Sequence, residues 1–360
     1  MNGQPSLAGR SFSNVRSLGK MFKRALAGAL LLIAPVGSAL AQAPFYEGKT
    51  LTIVVSYAPG GGYDFYSRLL ARHISKHIPG KPNVIVQNMP GAAGIVASNH
   101  VYTVAPKDGT VIAAVDQNIP MFQLLGGEGV RYDVSKVHWL GNIASANGIV
   151  MAWHESGIKT LDDAKQRAVT MGTTGTNDDA YVYAKVLNAM LGTKFTIVSG
   201  YNGTSAVNLA IERGEVSAMG RATYFGFLAQ KPDWLRDKKV TLLAQLGFSK
   251  QPELPDVPLL LDLMPNDEAR QIAALVTLPT AVGYSHWLSP EVPKDRIDIL
   301  RRAYEATMKD PEFLADADKQ NLQVRPKTAA EISALIERAA TTPEPIRKRT
   351  ATILEWKSSP

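Results

Sequence analysis

The chain has 360 residues and no cysteine, so it can form no disulfide, no thiolate nucleophile and no cysteine-ligated metal site. Its formal net charge is +7, but five of its 39 basic residues (Arg10, Arg16, Lys20, Lys23 and Arg24) and none of its 32 acidic residues lie in residues 1–41, which leaves the rest of the chain at +2. A nearly neutral body has no electrostatic footprint for nucleic acid, and that class is excluded.

Residues 21–41 read MFKRALAGALLLIAPVGSALA. Lys23 and Arg24 form a basic start, residues 25–36 an apolar stretch, and Ala39-Leu40-Ala41 a small-x-small cleavage signal, the three parts of a secretory leader. The apolar stretch is shorter than the roughly 20 residues a spanning helix needs. Residues before Met21 are polar and unpatterned, so Met21 is the expected working start. No twin arginine precedes the apolar stretch and no cysteine follows the cleavage signal. The expected product is therefore a soluble periplasmic protein, exported by the general secretory route without a lipid anchor. Residues 42–360 suit two domains.

Beyond the leader, short β-branched runs alternate with helical patterns, which predicts an α/β architecture. Residues 51–56 (LTIVVS) read as a buried strand that runs into Tyr57-Ala58-Pro59-Gly60-Gly61-Gly62. The spacing predicts a helix over residues 64–78, with Tyr66, Leu69, Leu70, Ile74 and Ile78 on one face and Arg68, Arg72, Ser75 and Lys76 on the other. Pro79-Gly80 ends it. A second strand, residues 83–87, leads through Asn88-Met89-Pro90-Gly91-Ala92-Ala93-Gly94 into another helix. Residues 105–110 (APKDGT) form a turn before a third strand at 111–115.

The same grammar then restarts. Residues 149–153 and 168–171 read as strands, the second running through Gly172-Thr173-Thr174-Gly175-Thr176-Asn177-Asp178-Asp179 into a helix with Tyr183, Val186, Leu187, Met190 and Leu191 inward. Residues 195–199 form a strand, Tyr201-Asn202-Gly203-Thr204 opens a helix that Gly214 ends, and residues 216–219 form the next strand. A strand at 240–246 leads to residues 251–258 (QPELPDVP), expected to be stiff and extended. Helices are predicted at 296–308, 311–320 and 329–340. Two βαβ systems, each with a glycine-rich strand-to-helix turn, predict two lobes: residues 42–142 with 244–360, and residues 143–243.

In order and spacing, Ala58-Pro59-Gly60-Gly61-Gly62-Tyr63-Asp64, Asn88-Met89-Pro90-Gly91-Ala92-Ala93-Gly94, Ala105-Pro106-Lys107-Asp108-Gly109-Thr110 and Leu254-Pro255-Asp256-Val257-Pro258 resemble the substrate-binding receptors of tripartite tricarboxylate transporters, the Bug family. The resemblance runs from about residue 46 to residue 356, and four motifs in order are far more specific than one glycine loop. It implies a Venus-flytrap fold with the ligand between two α/β lobes, ligands that are small organic acids, and membrane permease subunits as partners. A monomer without a cofactor is expected.

The physics of the turns suggests the site. A helix N-terminus leaves backbone N–H groups without partners and carries partial positive charge, so a carboxylate docks there without a lysine or arginine. Gly60, Gly61 and Gly62 would let a ligand approach that backbone, with Tyr57, Pro59 and Asp64 around it; the plainer reading is a tight turn capped by Asp64. Thr173, Thr174, Gly175, Thr176 and Asp178 stand at the equivalent turn of the second lobe, followed by Tyr201 and Asn202 after the next strand and Arg221 after the one at 216–219. All lie where open α/β sheets bind ligands. Here the chain departs from the family, many of whose members carry Ser and His in the stretch 177–179 and Asp or Asn near 221. Two acids at a helix start repel an anion, and Arg221 would restore the balance with a bidentate grip.

Other classes find less support. His73 and His77 sit four apart on one helix, a zinc-site spacing, but no glutamate stands between them and no third ligand is evident. Neither glycine turn fits a phosphate loop or a dinucleotide fingerprint, and no Gly-x-Ser-x-Gly elbow is present. An enzyme on the same fold, with Asp178 or Asp179 as acid/base, and a sensory receptor for a signalling partner are the alternatives the sequence leaves open. If Met21 starts a secretory leader, N-terminal sequencing of the periplasmic protein should read from Gln42; an intact Met1 or Met21 in the mature pool would contradict export.

Overall fold

The computed structural model describes residues 43–356 except 146, 177, 202, 203 and 222. The expected leader therefore lies outside the described residues.

The β-branched runs become strands as their composition dictates. β1 (Thr50–Val55) is flanked in parallel by β2 (Asn83–Asn88) and β3 (Val111–Ala114), so Leu51, Ile53, Val54 and Val55 are buried on both faces of the sheet. The β1-to-β2 crossover is α1 (Gly62–Ile74), whose Tyr66, Leu69, Leu70 and Ile74 form the inward stripe. α2 (Ile95–Thr103) and α3 (Ile119–Leu124) follow β2 and β3. β4 (His138–Asn142) ends this stage, and the chain crosses to a second sheet.

That second sheet holds β5 (Gly148–Trp153), β6 (Val169–Thr173), β7 (Phe195–Ser199), β8 (Ala218–Arg221) and β9 (Val240–Leu246) in the order β7-β6-β8-β5-β9. β6 runs parallel to β7 and β8, whereas β5 runs antiparallel to β8 and β9. Between these strands lie α4 (Leu161–Gln166), α5 (Asp179–Leu191), α6 (Thr204–Glu212), α7 (Tyr224–Gln230) and α8 (Pro232–Arg236). β8 begins two residues later than the sequence predicts, which makes Arg221 the last residue of the strand.

The chain then returns through α9 (Asp267–Val282) to β10 (Ser285–Leu288), and on through α10 (Lys294–Met308), α11 (Pro311–Lys319), β11 (Lys327–Thr328), α12 (Ala329–Ala340) and α13 (Glu344–Ile353). The first sheet is completed as β11-β4-β10-β3-β1-β2, with β10 antiparallel to both β3 and β4. The result is the expected two-lobed α/β fold, with a separate sheet in each lobe.

Two expectations need correction. Residues 244–360 do not all gather at the first sheet. Ile272, Ala273 and Val276 of α9 and Ala351 of α13 share an apolar cluster with Val150 and Met171 of the second sheet, while Leu278 and Val282 of α9 pack with Val54 and Trp139 of the first. α9 is buried along most of its length and serves both cores. Residues 251–258 are not extended either: Leu254 N–H donates to the Gln251 carbonyl and Val257 N–H to the Leu254 carbonyl, forming successive turns. The cause is Gln245 at the end of β9. Its side chain is buried and donates to the carbonyls of Leu254 and Val257, folding the segment back on the sheet.

Candidate functional site

A cavity of about 530 Å³ lies between the two sheets. Its first-sheet wall is Tyr57 after β1, Asp116 and Asn118 after β3, and Tyr284 before β10. Its second-sheet wall includes Thr174, Gly175, Asp178 and Asp179 between β6 and α5, Arg221 at the end of β8, and Thr223 and Gln230 at the two ends of α7. A second cavity of about 460 Å³ adjoins it, lined by Gly60, Gly61, Gly62, Phe65, Tyr66, Phe225 and Leu322 among others. Thr223, Gly226, Gln230 and Tyr284 border both.

The predicted residues therefore separate. Tyr57, Thr174, Gly175, Asp178 and Arg221 meet in the first cavity, Gly60 to Gly62 face the second, and Pro59, Asp64, Thr173, Thr176 and Tyr201 line neither. Asn202 lies outside the described residues. The hydrogen bonds explain the displacement. Asp64 is buried and accepts from the Gly60 amide, Arg68 and Asn88, so its carboxylate holds the turn together. Desolvation raises its pKa, but those bonds outweigh it and hold the carboxyl below the usual range. Gly62 is small for Tyr284, whose hydroxyl would lie 2.6 Å from any added Cβ. Thr173 is buried and exchanges hydrogen bonds with Gly175. The exposed Thr176 gives its carbonyl to the Trp356 indole, and Tyr201 packs at the Val207–Val216 cluster.

The anion site expected at the second helix start is occupied from within. Asp178 is the N-cap of α5: its carboxylate accepts from the Ala180 amide at 2.8 Å and the Thr174 amide at 3.0 Å. The dipole at this helix start is thus met by the chain's own acid, which disfavours an outside anion there.

Arg221 is the cationic side chain that lines the first cavity. It is only 8% exposed, and it makes no ion pair with a described residue. One terminal nitrogen donates to Asn208 Oδ1 at 3.3 Å and to Gln230 Oε1 at 3.1 Å. Its Nε has no partner among the described residues. Desolvation lowers its pKa to about 10 against the opposing pull of Asp178, so it remains charged at neutral pH.

Sequence reasoning missed Asp116, Asn118, Thr223, Gln230 and Tyr284, and weighed Asp179 as a helix-start acid or an acid/base, not as a ligand-binding residue. Asp116 is buried, accepts from the Tyr57 hydroxyl and the Asn118 amide, and is raised by desolvation that those bonds only partly offset. Asp179 is pushed well above the usual carboxylate range, first by burial and then by the charges of Asp178 and Asp116. Tyr284 closes an aromatic group, meeting Tyr63 edge-on at 4.9 Å while Tyr63 stacks on Tyr57 at 5.1 Å, and burial lifts its pKa to about 12. Asp116 and Asn118 carried the available signal, since they follow a strand just as Tyr57 does. His73 at the end of α1 and His77 in the turn after it each meet a carboxylate of their own, Asp316 at 2.9 Å and Asp310 at 2.7 Å, where α11 packs against them.

Two α/β lobes with a polar, arginine-bearing cavity between them define a solute-binding protein of the two-lobed class. Residues 67–350 match the model of the tripartite tricarboxylate transporter family receptor, TctC, and the chain belongs to that family. Among curated relatives, the "UPF0065 protein in gbd 5'region" of Cupriavidus necator is 28% identical over 235 residues, covering 62% of this chain and 67% of that one. Among solved structures, a TctC solute-binding protein from Polaromonas without ligand has a TM-score of 0.63 at 18% identity, covering 85% of this chain and 99% of that one. MatC from Rhodopseudomonas palustris with bound malate has a TM-score of 0.58 at 18% identity, with the same coverage. Both have the same fold.

Because the folded state raises the pKa of Asp179, ionising it opposes folding. The penalty is absent below the unfolded value of about 3.9 and grows as pH rises toward the folded pKa. Asp179→Asn should therefore raise the melting temperature of the ligand-free protein at pH 7 by about 2 °C or more, with the difference vanishing near pH 4. Calorimetric melts at both pH values check this; equal melting temperatures at pH 7 would contradict it.

Proposed function

We propose that the chain is an exported periplasmic receptor that captures a small organic molecule bearing a carboxylate between its two sheets and delivers it, as a monomer, to the permease subunits of a tripartite tricarboxylate-type transporter. In this reading the lobes are residues 42–142 with 244–360 and residues 143–243, except that the end of β9 stays with the second sheet and α9 and α13 serve both. The observation that carries it is Arg221: a buried guanidinium that forms no ion pair with a described residue and lines a cavity whose volume of about 530 Å³ suits a metabolite. Leaving such a group without an anionic partner is costly, and a ligand carboxylate would offset that cost with charge-assisted hydrogen bonds. Family membership and the malate bound to MatC support the organic-acid class. Closure of the lobes over the ligand would sequester it from water and present a distinct surface to the permease.

The test is calorimetric titration with a panel of four- to six-carbon mono- and dicarboxylic acids, each with and without an α-amino group. Arg221→Ala should weaken the best ligand about ten- to a hundredfold, the worth of a charge-assisted contact. Arg221→Lys should recover only part, because the planar fork is lost. Unchanged affinity in Arg221→Ala would contradict the reading.

A further inference from the structure

We propose that the molecule selected by this cleft carries a protonated nitrogen as well as a carboxylate: Arg221 takes the carboxylate, and Asp116 and Asp179, from opposite walls, take the nitrogen. The proposal rests on the receptor reading above and narrows its ligand class. Three carboxylates and a single guanidinium line the first cavity. Asp178 is engaged at the N-terminus of α5, where it accepts from the amides of Ala180 and Thr174. Asp116 accepts from the Tyr57 hydroxyl and the Asn118 amide, but those partners are neutral. No described cation forms an ion pair with Asp116 or Asp179, whereas the buried carboxylates of Asp64 and Asp310 each have one.

Asp116 follows a strand of the first sheet and Asp179 opens a helix of the second, and both line the same cavity. A purely acidic ligand would leave both carboxyls without a cationic partner. A protonated amine supplies the missing counter-charge and several N–H donors to two acceptor carboxylates. Arg221 is the independent sign that a ligand belongs here, being more than nine-tenths buried, unpartnered at Nε, and part of the same wall. The separation of acid and base also orients the ligand: the carboxylate end lies toward β8, and the nitrogen lies between α5 and the loop after β3. A nitrogen bridging the two walls would also draw the sheets together, so recognition and closure become one event.

The experiment titrates the chain from residue 42 onward with each common α-amino acid and, separately, with its desamino carboxylic acid. In the pair that binds best, the aminated member should be at least tenfold tighter, as expected for one charge-assisted contact. Asp179→Asn and Asp116→Asn should each reduce that ratio to threefold or less. Arg221→Ala should weaken both members of the pair together. If carboxylates bind through Arg221 with no preference for the amine, or if the preference survives both aspartate variants, the nitrogen site is wrong and the receptor reading stands. If no member of either series binds, both fail.

Discussion

A guanidinium buried at the end of a β-strand, with only neutral partners, is the constraint around which the rest of this cleft is organised. Arg221 ends β8 with its backbone fixed by pairing to Ile149, so the side chain has little freedom to reach bulk water. Asn208 and Gln230 hydrogen-bond one of its nitrogens without neutralising it. A buried charge left this way costs free energy unless something else compensates it. That cost is tolerable in a receptor, because a ligand that removes it gains affinity from the same interaction.

The turns around Arg221 show the complementary principle. The glycine turn after β1 is held by Asp64, and the turn after β6 by Asp178, which accept from the Gly60 amide and from the Thr174 and Ala180 amides. Bonds of this kind made before a ligand arrives lower the entropic cost of binding. The charged and aromatic groups that line the first cavity besides these loops include Arg221, Asp116, Asp179, Tyr57 and Tyr284. α9 ties the two halves together, since its apolar residues belong to the cores of both sheets. Any closing motion has to bend or slide around that helix.

Much of this was legible in the sequence, and the rest was hidden for identifiable reasons. β1 and β6 announce themselves by apolar, β-branched runs ending in glycine-rich turns, and the helix stripe of Tyr66, Leu69, Leu70 and Ile74 was plain from its spacing. Thr174, Gly175, Asp178 and Arg221 line the first cavity as expected for residues that follow strand ends in open sheets. The same rule would have found Asp116, had the reading continued past Val115. Tyr284 carried no local signal: it reaches the cavity from the α9–β10 turn, and only tertiary pairing brings it to Gly62. β4 and β10 were missed because His138–Asn142 and Ser285–Leu288 are short, carry His, Trp and Gly, and pair only with distant segments. α9 was obscured by Pro279 within it, which the buried surroundings tolerate. Asp64 fits the plainer of its two sequence readings: it holds the turn through the Gly60 amide, Arg68 and Asn88.

The central claim, that this cleft holds a carboxylate-bearing molecule without altering it, is tested most directly by native mass spectrometry of the protein purified from its own host. The account predicts a non-covalent adduct that leaves on denaturation as an intact carboxylic acid and is lost in Arg221→Ala. An adduct lacking an acid group, an adduct retained unchanged in Arg221→Ala, or a bound molecule converted to product on incubation would contradict it.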